Sequence, residues 1–340
     1  MVGYTKRTAY NSNSPVTLGQ DAWVYYPTGN VPTGATAGTT RIGLIGTNSS
    51  VYETNTGTGV TRTSSAVALS TDGGVAGYST RYSTNNATTS AGTDAWYYDP
   101  AHGVTSTIQV GLTTPTSEYQ FTPGSGNIVE SSTITALNNT GMVGGTSIRF
   151  PTGTGSSANN GYDAWVYDSA TNKTYNVDPN TSSTPSSQAT FTYSTISFIS
   201  DTGLALGYDY NSTNNGSGST TSYKLFDWHL TYDSSDGEND TPDFQYLSTA
   251  VDPASFSAGN WSKLFDSLGY GSSQTASGNL IGLGQLSTED SSSYVPFVLT
   301  PESAVPEPAS LSVLAAGGLM LLRRRRPASG ATGPRPLLCV

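Results

Sequence analysis

The chain has 340 residues, among them 38 Gly, 18 Pro, 21 Tyr and a single Cys, with a formal net charge of −10. Charged residues make up only 11%, against roughly 25% in an ordinary soluble domain, which argues against a charge-driven disordered chain. The acidic balance argues against a nucleic-acid binder, and the lone Cys339 excludes an internal disulfide framework or a zinc site built on cysteine clusters.

The first residues, Met1-Val2-Gly3-Tyr4-Thr5-Lys6-Arg7, offer neither the basic region nor the apolar stretch of an export signal. They match instead the second strand of a hairpin that recurs downstream, near Met142-Val143-Gly144. Met1 therefore reads as an internal methionine of a longer frame, with its export signal and the first strand upstream.

Self-similarity dominates the next three hundred residues. Asp21-Ala22-Trp23 returns as Asp94-Ala95-Trp96 and Asp163-Ala164-Trp165, with Asp227-Trp228 as a weaker copy and Val295-Pro296-Phe297 as a degenerate one. A turn element accompanies them: Ser70-Thr71-Asp72-Gly73 before Val75-Ala76-Gly77-Tyr78. Its relatives end in Gly141, Gly203 and Gly278. Each predicts a hairpin with glycine at a positive φ. In the most complete repeat, strands are expected over Ala66–Leu69, Val75–Tyr82, Asp94–Tyr98 and Thr107–Leu112. Trp23, Trp96, Trp165 and Trp228 then read as packing between sheets, and the repeated aspartates as turn or strand-start caps. Arg7, Arg81 and Arg149 follow the Gly-containing strands at like spacing. They are expected to pair with the repeat aspartates across a hairpin, with sugar stacking as the alternative.

Four strands per repeat, about five times over, predicts an all-β fold, a β-propeller-like array with approximate units 1–46, 47–112, 113–180, 181–251 and 252–304, the first one incomplete. An open solenoid or a pair of sandwiches is the alternative. The repeats resemble the HAF-type repeats of bacterial extracellular proteins, through a small-Gly-x-Val-x-Gly-Tyr element followed by Ala-Trp-x-Tyr-x-Pro.

Candidate chemistry is sparse. His102 and His229 have no histidine partner at metal-ligand spacing, and no serine elbow or phosphate loop is present in the sequence. The one dense acidic run, Asp233, Asp236, Glu238 and Asp240 with Asp243 beyond, is a weak calcium candidate. It lacks EF-hand order and reads more simply as a solvated loop. Helical spacing before residue 305 occurs only over Asn260–Leu268, with Trp261, Leu264, Phe265 and Leu268 in step.

The C-terminal end is the most informative segment. Of the 14 basic residues, Arg323, Arg324, Arg325, Arg326 and Arg335 lie in the last eighteen positions. Before them runs the uncharged ASLSVLAAGGLMLL of residues 309–322, short for a full membrane span but expected to form a hydrophobic helix with a cationic flank. Val305-Pro306-Glu307-Pro308 precedes it. This order over 305–326 resembles the PEP-CTERM sorting signal of exopolysaccharide-producing bacteria. The resemblance implies an exported protein held transiently at the inner membrane, processed by an exosortase-type enzyme near Pro306-Glu307-Pro308 and delivered to the cell envelope or exopolysaccharide matrix. Residues 327–340 continue past the arginines as an irregular tail, where Cys339 reads as a thiol without a role. The expectation is a non-enzymatic surface or biofilm-matrix protein without a cofactor; the rival is an extracellular propeller hydrolase or lyase acting on polysaccharide.

Overall fold

The computed structural model describes residues 1–11, 14–45, 51–55, 59–82, 90–113, 119–122, 128–150, 161–177, 190–214, 219–231, 241–246, 261–264, 273–274, 280–286, 295–301 and 337–339. The chain is all-β and divides into two bodies, Met1–Phe244 and Gln245–Val340.

In the first body, strands come in modules. Module 1 holds β1 (Val2–Asn11), β2 (Ser14–Tyr26) and β3 (Gly38–Ile42). Module 2 holds β4 (Thr54–Asn55), β5 (Val60–Leu69), β6 (Val75–Tyr82), β7 (Ser90–Asp99) and β8 (Val104–Val110). Module 3 holds β9 (Glu130–Leu137), β10 (Met142–Arg149), β11 (Gly161–Asp168) and β12 (Lys173–Asn176). Module 4 holds β13 (Thr190–Ile199), β14 (Leu204–Asn214), β15 (Ser219–Thr231) and β16 (Thr241–Tyr246). Within a module the principal strands pair antiparallel. Between modules, the third strand meets the next module's first strand through a two-residue parallel bridge: Gly19↔Arg62, Gly92↔Glu130 and Gly161↔Thr192. The result is one hydrogen-bonded path, β1-β2-β5-β6-β7-β9-β10-β11-β13-β14-β15-β16.

Three local devices repeat with the module. The first is the hairpin turn, where Gly73, Gly141 and Gly203 take φ of +101°, +90° and +86°, as the turn chemistry predicts. The second is a one-residue bulge in the first strand, between Ala66 and Ala68, Ile134 and Ala136, and Ile196 and Phe198. The third is an aromatic ring set opposite a glycine of the second strand: Trp23 against Gly3, Trp96 against Gly77, Trp165 against Gly145 and Phe226 against Gly207. A Cβ on any of these glycines would clash with that ring.

This register corrects two sequence assignments. Phe226, not Trp228, takes the place of Trp165 in module 4, so Asp227 is not the counterpart of Asp163; Lys224 is. Likewise Gly3 corresponds to Gly145 rather than Gly144, which shifts the N-terminal alignment by one residue while keeping β1 as a second strand. The misreading arose because Asp-Trp is a local string, whereas the equivalence is set across strands.

Alternation along β7 buries both of its faces. Trp96 and Tyr98 pack with Ala22, Val24, Tyr26 and Ile42 of module 1, while Ala95 and Tyr97 pack with Ile134, Val143, Trp165 and Tyr167 of module 3. Trp96 and Trp165 are wholly buried, as the packing reading requires. At roughly 150–250 Å² per aromatic side chain and ~25 cal/mol per Å², each contributes about 4–6 kcal/mol of gross burial.

Consecutive hairpin turns are also laced together. Asn139 Oδ1 accepts from the Thr71 backbone N–H at 2.8 Å, and Asp201 accepts from the Asn139 backbone N–H and side-chain amide, both at 2.9 Å. These three residues hold the same place in successive turns.

The second body contains β17 (Trp261–Leu264), β18 (Ser273–Gln274), β19 (Leu280–Leu286), β20 (Val295–Pro301) and β21 (Leu337–Cys339). Gly282 pairs with the buried Phe297, repeating the glycine–aromatic relationship. Trp261–Leu264 is a strand, not the helical turn that its apolar spacing suggests; Trp261 and Leu264 pair with Leu286 and Gly284, and cross-strand pairing overrides a short helical pattern. In β21, Cys339 pairs with Leu299 of β20, so Leu337–Cys339 is a strand and not part of an irregular tail; its backbone hydrogen bonds are met by the neighbouring strand. The apolar segment 309–322 and the motif residues Val305 to Pro308 and Arg323 to Arg326 lie outside the described residues. Among the described residues, no helix is long and apolar enough to cross a membrane.

Candidate functional site

The recurring aspartates lie inside strands β2, β7 and β11, not at strand starts, and each enters an ion pair. In all three, the arginine of the same module's second strand reaches across the hairpin: Arg7 to Asp21 at 3.6 Å, Arg81 to Asp94 at 3.4 Å and Arg149 to Asp163 at 2.8 Å. The expected cross-hairpin pairing is therefore observed. Each pair sits beside the glycine bridge to the next module, where Gly19, Gly92 and Gly161 have φ of +90°, +115° and +135°. Their missing side chains admit the carbonyl oxygens of Arg62, Glu130 and Thr192, which would overlap any Cβ.

What the next module contributes differs at each joint. At the first joint, Arg62 binds Asp21 in a bidentate fork at 2.6 and 2.9 Å and also holds Glu53 at 2.8 Å. Burial would raise the Asp21 pKa, but the Arg62 hydrogen bonds and charge outweigh it and hold the carboxyl below its usual value. Two arginines there face two carboxylates. At the third joint, Arg149 pairs with Asp163 and donates to Thr192, and Tyr119 donates to Asp163 at 2.7 Å.

The middle joint carries an excess acid. Arg81 faces both Asp94 and Glu130, the latter at 2.5 Å, and both carboxylates are buried to 1% exposure or less. Tyr52 donates to Asp94 at 2.6 Å, while Gln109 and Gln120 donate to Glu130 at 3.1 and 2.6 Å. Burial, then the neighbouring Glu130 charge, pushes Asp94 up to about 7 against the opposing pull of Arg81. Burial and the Asp94 charge together raise Tyr52 as well, so it stays a neutral donor.

A second cluster sits at the turn end of module 2. His102 Nδ1 lies 2.7 Å from Asp99 and 3.4 Å from Asp72, and these three residues could present one ligand atom each to a small cation, all within 4.8 Å of one another. Hydrogen bonding accounts for the same arrangement: Asp99 accepts from the backbone N–H groups of Ala101 and His102, capping the 3-10 turn Pro100–His102, and from the Tyr97 hydroxyl. In module 3 the corresponding Asp168 caps Ala170 and accepts from Thr171 at 2.9 Å. The corner is thus a repeated turn cap, with His102 standing where module 3 has a threonine.

Sequence reasoning found the Asp–Arg pairs but missed Tyr52, Tyr119, Glu130 and the Asp72–Asp99–His102 corner. Glu130 was legible only as the residue opposite Gly92, a pairing no local motif announces. The acidic-run residues Asp233, Asp236, Glu238 and Asp240 lie outside the described residues; Asp243 falls in β16. No family model, curated protein or solved structure matches this chain.

Proposed function

We propose that the protein is a non-enzymatic, exported surface or extracellular-matrix protein of a bacterium, processed through a C-terminal sorting signal and associated with exopolysaccharide. The carrying observation is the ordered Pro306-Glu307-Pro308, apolar segment and Arg323–Arg326 cluster, whose resemblance to a PEP-CTERM signal names an exosortase-type enzyme and, transiently, the inner membrane as partners. The use of charge supports this reading. The recurring aspartates and arginines are engaged in joints between modules, and the two carboxylates that share Arg81, Asp94 and Glu130, are buried rather than set in an open cleft. A propeller-like array of about five modules is the proposed architecture, supported by the recurrence of the same third-to-first-strand step. No cofactor enters this reading.

The test is fractionation of the protein carrying an epitope tag before Val305, expressed from its native reading frame in a host with the sorting machinery. Delivery to the surface matrix is expected, with retention at the membrane when Pro306, Glu307 and Pro308 are replaced by alanine. A cytoplasmic location for both forms would overturn the proposal.

A further inference from the structure

Module 2 departs from modules 3 and 4 at the end of the sheet where its hairpin turn lies, and the departures meet at one corner. In the turn, Asp72 stands where the other two have Thr140 and Thr202. Gly74 stands where they have Met142 and Leu204; these three carbonyls accept from the first turn residues Ser70, Asn138 and Ser200. His102, three residues after Asp99, stands where Thr171 follows Asp168 in module 3. The turn architecture requires none of these replacements. Thr140 accepts from the Asn138 amide at 2.9 Å, Thr202 pairs with Ser200 at 2.8 Å and Thr171 donates to Asp168 at 2.9 Å, so hydroxyls close the same corner elsewhere.

The replacements converge on one buried carboxylate oxygen, Asp99 Oδ2. His102 Nδ1 lies 2.7 Å from it and 3.4 Å from Asp72 Oδ2. A Cβ on Gly74 would fall 2.9 Å from Asp99 Oδ2 and from Ser70 Oγ, so the missing side chain leaves that oxygen its place. Gly74 is not among the glycines with positive φ, so its backbone does not call for glycine. The opposite oxygens are already held: Asp99 Oδ1 accepts from the Ala101 and His102 backbone N–H groups at 3.1 and 3.3 Å, and Asp72 Oδ1 accepts from the Ser70 hydroxyl. Each carboxylate thus has one oxygen fixed by the protein and the other turned to the imidazole. The Asp99 side chain is buried, but those of Asp72 and His102 are 29% and 34% exposed, which opens the corner to solvent.

We propose that this corner is a binding site for a first-row divalent cation such as zinc, held by His102 Nδ1, Asp99 Oδ2 and Asp72 Oδ2, with water completing its shell. The three ligand atoms lie within 4.8 Å of one another. One imidazole nitrogen with two carboxylate oxygens suits zinc and its first-row neighbours better than calcium or magnesium, which favour all-oxygen shells. At metal–ligand distances of about 2.0–2.2 Å, two ligand atoms on one cation sit roughly 3–3.5 Å apart. His102 Nδ1 and Asp72 Oδ2 already have that separation. Nδ1 and Asp99 Oδ2, now at hydrogen-bond distance, must part by less than about 1 Å, which a turn of the half-exposed imidazole supplies. The donors on the carboxylates, namely Tyr97, Ser70 and the two backbone N–H groups, then orient both ligands from outside. The cation clips the β5–β6 turn to the corner that follows β7. This inference is independent of the export reading.

The probe is Zn²⁺, titrated by isothermal calorimetry into the intact chain after dialysis against a chelator. Saturable one-to-one binding is expected, together with a rise in melting temperature on adding the metal. His102→Thr and Asp72→Thr, which install the residues of module 3, should each weaken binding at least ~10-fold, about 1.4 kcal/mol. Circular dichroism and a cooperative melt of the metal-free variants establish that both are folded. Co²⁺ in place of zinc should give visible absorption bands that His102→Thr abolishes, which places the imidazole on the metal. Absence of zinc binding to the folded wild-type chain, or undiminished binding in either variant, would overturn the proposal. So would displacement of the zinc by an equimolar amount of Ca²⁺, since the site would then be one of oxygen ligands alone.

Discussion

Trp96 lies directly across the β6–β7 ladder from Gly77, and its indole occupies the volume that a side chain on Gly77 would need. The glycine is therefore part of the aromatic site. Gly77→Ala should cost about 1–3 kcal/mol in denaturant unfolding, the range for overpacking a closed core. An unchanged midpoint would mean that both the ring and the Ser65 carbonyl, which a Cβ would also overlap, are free to move aside.

The indole N–H groups of Trp96 and Trp165 are buried and find no acceptor among the described residues. Module 4 has Phe226 at this position. Trp165→Phe loses some buried area but removes the unsatisfied donor, so it should lie within about 1.5 kcal/mol of wild type. Trp165→Ala should cost about 3–5 kcal/mol. Chemical denaturation of the two variants separates these cases; equal losses would contradict the account.

The middle joint makes stability depend on pH in a defined direction. Asp94 titrates at about 7 in the folded protein, against an ordinary value of 3.8. The folded state therefore holds a proton that the unfolded chain has released between these values. Its contribution is fully present below about pH 4 and is lost as pH rises through about 7. Asp21, held low by Arg62, works the opposite way: its contribution is present above 3.8 and is lost as pH falls through the folded value. Melting temperatures compared at pH 5.5 and pH 8.5 should fall with pH for wild type and fall less for Asp94→Asn. A parallel fall in both proteins would contradict the assignment.

Arg81 compensates two buried carboxylates at once. Arg81→Met leaves them facing each other and should cost about 3–5 kcal/mol at pH 8, with part of the loss recovered at pH 5.5 as the pair takes up a proton. Equilibrium unfolding at the two pH values measures both. A loss independent of pH would assign the effect to packing alone.

Much of this fold was legible in the sequence. The turn glycines announced the hairpins, because Gly73, Gly141 and Gly203 each follow a polar tripeptide and precede an apolar strand. Arg81 and Asp94 were legible as a pair because both recur at fixed distance from the same motif. The joints were not. Glu130, Tyr52 and Tyr119 reach the aspartates from segments whose sequences share no local string. Their placement follows from the close approach at Gly92 and its equivalents, a backbone event encoded by one absent side chain. The Asp72–Asp99–His102 corner escaped for a related reason, since Asp72 reaches it from another hairpin.

The recurring charges join modules, and the Asp21–Arg62 pair between modules 1 and 2 tests this most directly. A double-mutant cycle of Asp21→Asn and Arg62→Met, read by urea unfolding at pH 7, should give a coupling of about 1–3 kcal/mol, because the fork is bidentate and largely shielded from solvent. Additive effects, within about 0.5 kcal/mol, would contradict it.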